Sequence, residues 1–244
     1  MEQLIHTKSY TEPALSRREI LRYMRCGSAG SEMDPLLDSC LTELLPQLVY
    51  KVCWRISDIG SAADPQAGSP LFDLGFIKTG SRDLRRNLQG CEKLVFFAAT
   101  IGLAPDRLIA KYGRLSPSRA LCMQAIGAER IESLCDAFCD EIAAQYAPAG
   151  YQTRPRFSPG YGDFPLEAQK AFFQALDCPR RIGLSLNDSL LMSPSKSVTA
   201  LLGLFPSSPC TRHTDAASES QIGNASPHTS CASCAKTDCL FRTH

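Results

Sequence analysis

The apolar positions of this 244-residue chain change their spacing along its length, and these changes predict where helices and strands begin and end. Apolar residues three or four positions apart are typical of a helix with one buried face, whereas alternation or a short uninterrupted apolar run is typical of a strand. On this basis the sequence predicts helices over residues 16–24, 34–52, 81–88, 104–112, 116–146 and 166–176, and strands over residues 49–59, 71–80, 94–103 and 197–205.

The longest predicted helix begins with Ser116 as N-cap and Pro117 in its first turn and runs to about residue 146. Its predicted buried stripe comprises Leu121, Ala125, Ala128, Cys135, Cys139 and Ile142. Glu132 stands where an apolar residue would continue that stripe, so its carboxylate requires a partner. Asp136 and Asp140 follow at intervals of four and share its neighbourhood. They are either ligand contacts or a solvated acidic face.

Residues 154–169, RPRFSPGYGDFPLEAQ, form a polar loop rich in glycine and proline that runs into a helix. Arg156 offers a guanidinium fork for a carboxylate, Gly160 permits close backbone approach, and Tyr161 adds an aromatic face. This combination suits a zwitterionic, cationic ligand. The alternative is an ordinary surface turn, in which Asp163 caps the helix that begins near Phe164.

Three blocks in order resemble the S-adenosylmethionine-binding reactivation (activation) domain of cobalamin-dependent methionine synthase. The first is the R-x-x-x-G-Y spacing of Arg156, Gly160 and Tyr161. The second is IGLSLNDSLLMSPSKSVTALLGL at 182–204, which resembles the L-[TN]-[ED]-S-x-x-M-x-P-x-x-S segment of the family. The third is LVFFAATIGL at 94–103, followed by a long helix. The resemblance covers roughly residues 80–205.

The resemblance implies an S-adenosylmethionine site in which Arg156 clamps the methionyl carboxylate, Gly160 allows close approach and Tyr161 lies near the sulfonium. An acidic residue of the long helix would hold the ligand. Counting back from Arg156 places Asp140 there, with Glu141 one residue away, and Glu132 is a further candidate. A second acidic contact, which the family has in its N-terminal part, finds no match here.

The resemblance also implies a corrinoid-facing surface at the Ser-Pro-Ser turn, with Met192, Pro194, Ser195 and Ser197 as candidates. The alternative is an unremarkable turn. The chain carries no D-x-H-x-x-G cobalamin motif, so the cobalamin would belong to a partner, either a methionine synthase or another corrinoid protein. An electron donor such as flavodoxin would reduce it. The chain would be an accessory component of a methyltransferase used in methionine biosynthesis.

Composition excludes other classes of function. A net charge of +1 and the absence of a basic block argue against nucleic acid and anionic membrane as partners. The N-terminal residues show no signal pattern, and no apolar run approaches the ~20 residues of a membrane span, so we expect a cytoplasmic protein. In that compartment cysteines are reduced, and those within apolar patterns are expected to be small buried hydrophobes.

After residue 205 the composition changes. Residues 206–230 contain few large apolar side chains and predict a flexible linker. Cys231, Cys234 and Cys239 follow with C-x2-C-x4-C spacing, which is typical of a zinc or iron–sulfur ligand set. The alternatives are a tail with free thiols, or a non-catalytic protein that uses this cluster for metal binding or interaction.

Together these patterns predict an α+β fold with an antiparallel sheet flanked by helices. We expect an activation-like domain over residues 1–205, the linker over 206–230 and a Cys-rich tail over 231–244.

Overall fold

A computed structural model describes residues 4–25, 33–62 and 71–207 of the chain. The main sheet has five antiparallel strands in the order β1-β2-β6-β10-β7. The strands are β1 (His6–Ser9), β2 (Lys51–Asp58), β3 (Gly60–Ala62), β4 (Leu71–Asp73), β5 (Lys78–Thr79), β6 (Lys93–Thr100), β7 (Tyr151–Thr153), β8 (Ser185–Leu186), β9 (Met192–Ser193) and β10 (Ser197–Pro206). Strands β3, β4 and β5 form a second small sheet, and β8 pairs with β9.

Seven helices accompany these strands in the described part of the chain. They are α1 (Arg17–Tyr23), α2 (Met33–Leu44), α3 (Arg82–Asn87), α4 (Ala104–Leu115), α5 (Pro117–Tyr146), α6 (Gln169–Leu176) and α7 (Cys178–Ile182). Short 3-10 turns follow α2 and α5 and precede α6. The predicted α+β class, an antiparallel sheet flanked by helices, is confirmed.

Strand β6 lies at the centre of the sheet, between β2 and β10, and both of its faces are buried. Phe96 and Ala98 face a layer made by α3, α6 and α7, whereas Phe97 and Ala99 face the C-terminal half of α5. Burial on both faces explains why the sequence of β6 is an apolar run without alternation. The N-terminal half of α5 packs instead against α1, α2 and α4.

A buried ion pair on α5 makes hydrogen bonds to the segment that precedes α1. Arg130 and Glu129 are 0% and 2% exposed, and the Arg130 guanidinium donates to both Glu129 carboxylate oxygens at 2.5 and 2.7 Å. The same guanidinium donates to the carbonyl oxygens of Pro13 and Ala14 at 2.8 and 2.7 Å. Glu129 in turn accepts the backbone N–H of Ser16 at 2.8 Å, so the segment before α1 is held by both partners.

The structure corrects several predicted boundaries. The helix expected over 34–52 ends at Leu44, because a 3-10 turn that contains Pro46 follows and β2 begins at Lys51. The strand expected over 71–80 is the hairpin of β4 and β5, whose turn contains Gly75 with a φ of 79°. Strand β1 was not predicted. The other predicted helices and strands are present, with ends that differ by a few residues.

Burial of individual side chains follows the predicted pattern in part. Leu121, assigned to the buried stripe of α5, is 47% exposed. The described cysteines are buried at five positions and half-buried at two, and all are free thiols. Among the described helices, none has both the length and the apolar character that a membrane crossing needs.

Candidate functional site

The loop after β7 runs along the edge of β10 before it turns away. Arg154 donates its backbone N–H to the carbonyl oxygen of Gly203 at 2.8 Å, and Phe157 and Leu201 exchange two backbone hydrogen bonds of 2.9 Å. The backbone of Arg156 is thereby fixed between two points on the sheet. Its side chain consequently has a defined position beside α5.

Two glycines make the turn that follows. Gly160 and Gly162 have φ values of 90° and 53°, in the left-handed region where a side chain is disfavoured. The Gly160 N–H donates to the carbonyl oxygen of Phe164 at 2.8 Å, and the Tyr161 N–H donates to Ser158 at 3.1 Å. These two amides close the turn itself. Because its N–H is used within the turn, Gly160 can help to bind a ligand only through the space left by its missing Cβ.

Asp163 caps a different helix from the one the sequence suggested. Its carboxylate accepts the backbone N–H groups of Arg82 and Asp83 at 2.8 and 3.1 Å and the hydroxyl of Ser81, at the start of α3. In return Asp83 accepts the N–H of Asp163 at 3.2 Å. The hydrogen bond from Ser81, with those from the backbone, lowers the pKa of Asp163. The glycine turn is therefore anchored to α3.

Arg156 is the partner that Glu132 required. Its Nη2 donates to a Glu132 carboxylate oxygen, and its Nη1 lies 3.0 Å from Oδ1 of Asp136. The three side chains are between 25% and 41% exposed, so the group borders solvent. One guanidinium thus faces two carboxylates one helical turn apart. The sequence left Asp136 as either a ligand contact or part of a solvated acidic face, and the structure shows it as an ion-pair partner of Arg156.

The surroundings of Arg156 favour its charged form. Burial alone would lower its pKa, but the nearby acidic groups, Cys135, Glu132 and Asp136, raise it above its ordinary value. Burial also raises the pKa of Cys139, to about 12, although the Arg156 charge opposes this. Both the guanidinium and the adjacent thiol keep their protons at neutral pH. The site therefore offers a fixed cation and no thiolate nucleophile.

Two further residues predicted to hold S-adenosylmethionine, Tyr161 and Asp140, are exposed. Tyr161 is 58% exposed, and its ring meets that of Phe157 edge-on, with 6.0 Å between the centroids. Asp140 is exposed on α5, one turn beyond Asp136. Tyr23 of α1 is close to Glu132, and burial and the charge of this carboxylate raise the pKa of Tyr23. Tyr23 carries no sequence signal that would have identified it.

The Ser-Pro-Ser turn lies at the start of β10 and is fastened to α4. Ser195 is exposed, its backbone N–H donates to Oδ2 of Asp106 at 2.9 Å, and its hydroxyl donates to the same carboxylate. Met192 is half-buried and Pro194 is buried. Asp106, in the first turn of α4, was not predicted to take part.

Ser197 does not line the outer surface of this turn. It is 8% exposed, and its hydroxyl lies 2.8 Å from both the Thr100 hydroxyl and the Pro194 carbonyl oxygen. These two contacts show that the Ser197 side chain helps to hold the turn in position, and its proximity to a corrinoid stays a prediction. Of the four residues predicted to face the corrinoid, Ser195 is the most exposed.

No group of three or more His, Cys, Asp or Glu side chains in residues 4–25, 33–62 and 71–207 is arranged to hold a metal ion. The predicted ligands Cys231, Cys234 and Cys239 lie outside the described residues. The zinc or iron–sulfur site stays a prediction.

Comparison with known proteins shows which solved structure has a similar architecture. No protein-family model matches the chain, and no curated protein matches it in sequence. The α+β fold is that of a solved structure, the MetH reactivation domain bound to AdoHcy. The two agree with a TM-score of 0.57 over 85% of this chain and 80% of that chain, at 14% sequence identity. The likeness establishes the fold.

Proposed function

We propose that this protein binds S-adenosylmethionine at the Arg156 loop and supports the reductive methylation of a corrinoid carried by a partner protein. One observation carries the proposal. Arg156, whose spacing with Gly160 and Tyr161 first suggested the site, faces two carboxylates of α5 in a fold similar to one that was solved with AdoHcy. AdoHcy, S-adenosylhomocysteine, is S-adenosylmethionine without its transferable methyl group.

The described residues fit such a ligand. The Arg156 guanidinium is fixed, charged and bordered by solvent, so a ligand carboxylate can reach it in competition with Glu132 and Asp136. The exposed ring of Tyr161 can lie against a cationic sulfonium. Glu132, Asp136 and Asp140 can accept hydrogen bonds from an ammonium. The bound ligand would supply a methyl group activated by its own sulfonium, and the role of these residues is to position it.

Arg156 gives the direct test. We expect Arg156→Ala to weaken S-adenosylmethionine binding by about 2 kcal/mol in isothermal titration, because a charge-assisted bidentate pair is worth about that much. The matched control is Arg154→Ala. Arg154 lies two residues away, donates to the Gln89 carbonyl oxygen and covers the Phe205 ring. Equal affinity of the Arg156 variant and the unaltered protein, with equal melting temperatures, would contradict the assignment.

The partner would dock on the Met192–Ser195 turn, where Ser195 is the exposed residue. We expect methylation of an oxidised corrinoid protein to require this protein, S-adenosylmethionine and a low-potential donor such as flavodoxin together. Ser195→Trp should block that methylation and leave ligand affinity unchanged. Ser118→Trp is the control, because Ser118 is exposed near the start of α5, about 14 Å along the helix from Gly127, which packs against Lys196. Methylation that survives Ser195→Trp removes the turn from the docking surface.

A further inference from the structure

The Arg156 group carries more negative than positive charge. One guanidinium faces the two carboxylates of Glu132 and Asp136, which leaves a net charge of −1. Asp140 adds a further carboxylate on the next turn of α5, and α5 contains no lysine or arginine after Arg130. The neighbouring Arg22 is paired with Glu19 at 2.7 Å. The face of α5 beside Arg156 is therefore acidic.

A ligand carboxylate cannot take Arg156 without disturbing these pairs. As it approaches the guanidinium it competes with Glu132 and Asp136, and any carboxylate that loses its partner remains half-buried beside a new negative charge. Such a charge is unfavourable unless a cation replaces the guanidinium. A ligand that brings a carboxylate to Arg156 must therefore also bring a positive charge to compensate for it. Any further positive charge on the ligand strengthens its binding.

We propose that Glu132 and Asp136 make the Arg156 site selective for ligands of net positive charge, so that it holds S-adenosylmethionine more tightly than S-adenosylhomocysteine. This inference rests on the proposed function. Both molecules have a carboxylate and an ammonium, and only S-adenosylmethionine has a sulfonium. Its net charge at neutral pH is +1, whereas that of S-adenosylhomocysteine is 0.

The chemistry of the site gives this preference a use. When the methyl group passes to the reduced corrinoid, the C–S bond breaks, its electron pair stays on sulfur, and the sulfonium becomes a neutral thioether. The ligand loses the charge that the acidic group favours at the moment when it becomes product. For a sulfonium and a carboxylate about 6–8 Å apart, in a medium whose dielectric constant lies between those of water and the protein interior, we expect S-adenosylmethionine to be preferred on the order of tenfold. This preference promotes the release of S-adenosylhomocysteine and its replacement by a new molecule of S-adenosylmethionine.

Isothermal titration of the full chain with both ligands tests the inference. The unaltered protein should bind S-adenosylmethionine about tenfold more tightly. Asp136→Asn removes one negative charge with little change of shape, and it should reduce this ratio severalfold, mainly by strengthening the binding of S-adenosylhomocysteine. Glu132→Gln is a second variant with the same expectation. Asp34→Asn, an exposed site on α2, should leave the ratio unchanged.

Sinefungin, in which a protonated amine replaces the sulfonium, separates charge from the methyl group. It should follow S-adenosylmethionine in every variant, and the preference should shrink as salt increases. A ratio that is the same in the unaltered protein and in both variants overturns the inference and leaves the proposed function intact. If neither nucleoside binds the unaltered protein, the proposed function fails, and the inference fails with it.

Discussion

Removal of the buried Arg130 should destabilise this protein more than most single substitutions do. In Arg130→Met the side chain keeps much of its volume but loses its charge and its hydrogen bonds to Glu129, Pro13 and Ala14. Glu129, 2% exposed, would then be a buried carboxylate that retains hydrogen bonds from Ser16 and Ser133 and has no countercharge. Breaking a buried pair on one side costs about 3–5 kcal/mol, a large part of the 5–15 kcal/mol that is typical of a domain.

Urea unfolding followed by circular dichroism and by the fluorescence of the single tryptophan, Trp54, measures this loss. The double variant Glu129→Gln/Arg130→Met should recover at least 1 kcal/mol relative to Arg130→Met, because the uncompensated charge is gone. Arg17→Met is the matched control. Its side chain is 44% exposed and pairs with Asp38, so the expected loss is at most about 1 kcal/mol. A loss below about 1 kcal/mol in Arg130→Met, or no recovery in the double variant, would refute this reasoning.

Three further predictions concern the glycine turn, the sheet and the tail. Asp163→Ala should cost about 1 kcal/mol near neutral pH through loss of the α3 cap. Because the folded-state pKa of Asp163 is lowered, its contribution is present above the unfolded pKa of about 4 and is lost as pH falls through the folded value, so unfolding curves of the two proteins should converge in acid. Gly203→Ala should cost about 1–3 kcal/mol in urea unfolding, because a Cβ there would lie 2.5 Å from Sγ of Cys91, and Cys91→Ala should restore part of it. Anaerobically purified protein should contain zinc or iron, and a chain that ends at Phe205 should lose the metal and stay folded; metal retained by the shorter chain would move the site elsewhere.

Local signals in the sequence were sufficient for the main elements. Strand β6 and helix α5 follow from an apolar run and from a Ser-Pro start, because both depend on residues close together in the chain. Strand β1, HTKS, was missed because it is a short, mostly exposed edge strand that is fixed by its pairing with β2. Pairing between segments that are far apart in the chain produces no local sequence pattern of this kind.

The candidate site shows the same division. That Glu132 needed a partner could be predicted from its place in an apolar stripe, and the hypothesis that the loop binds a ligand came from residue types and spacing. The target of Asp163 could not be predicted, because α3 begins 81 residues earlier in the chain and its first N–H groups have no intrahelical partner. The roles of Asp106 and Tyr23 likewise depend on how α4 and α1 pack.

One strand carries both surfaces of the proposed function. The Ser-Pro-Ser turn ends where β10 begins, at Ser197, and the loop bearing Arg156 is bonded to β10 at Leu201. Four residues of strand separate these points by about 13 Å. A paired strand does not stretch, so in the proposed function β10 would fix the distance between the point where the partner docks and the point where its corrinoid meets the methyl donor. A one-residue insertion between Ser197 and Leu201 should therefore uncouple docking from methyl transfer while both surfaces keep all of their residues.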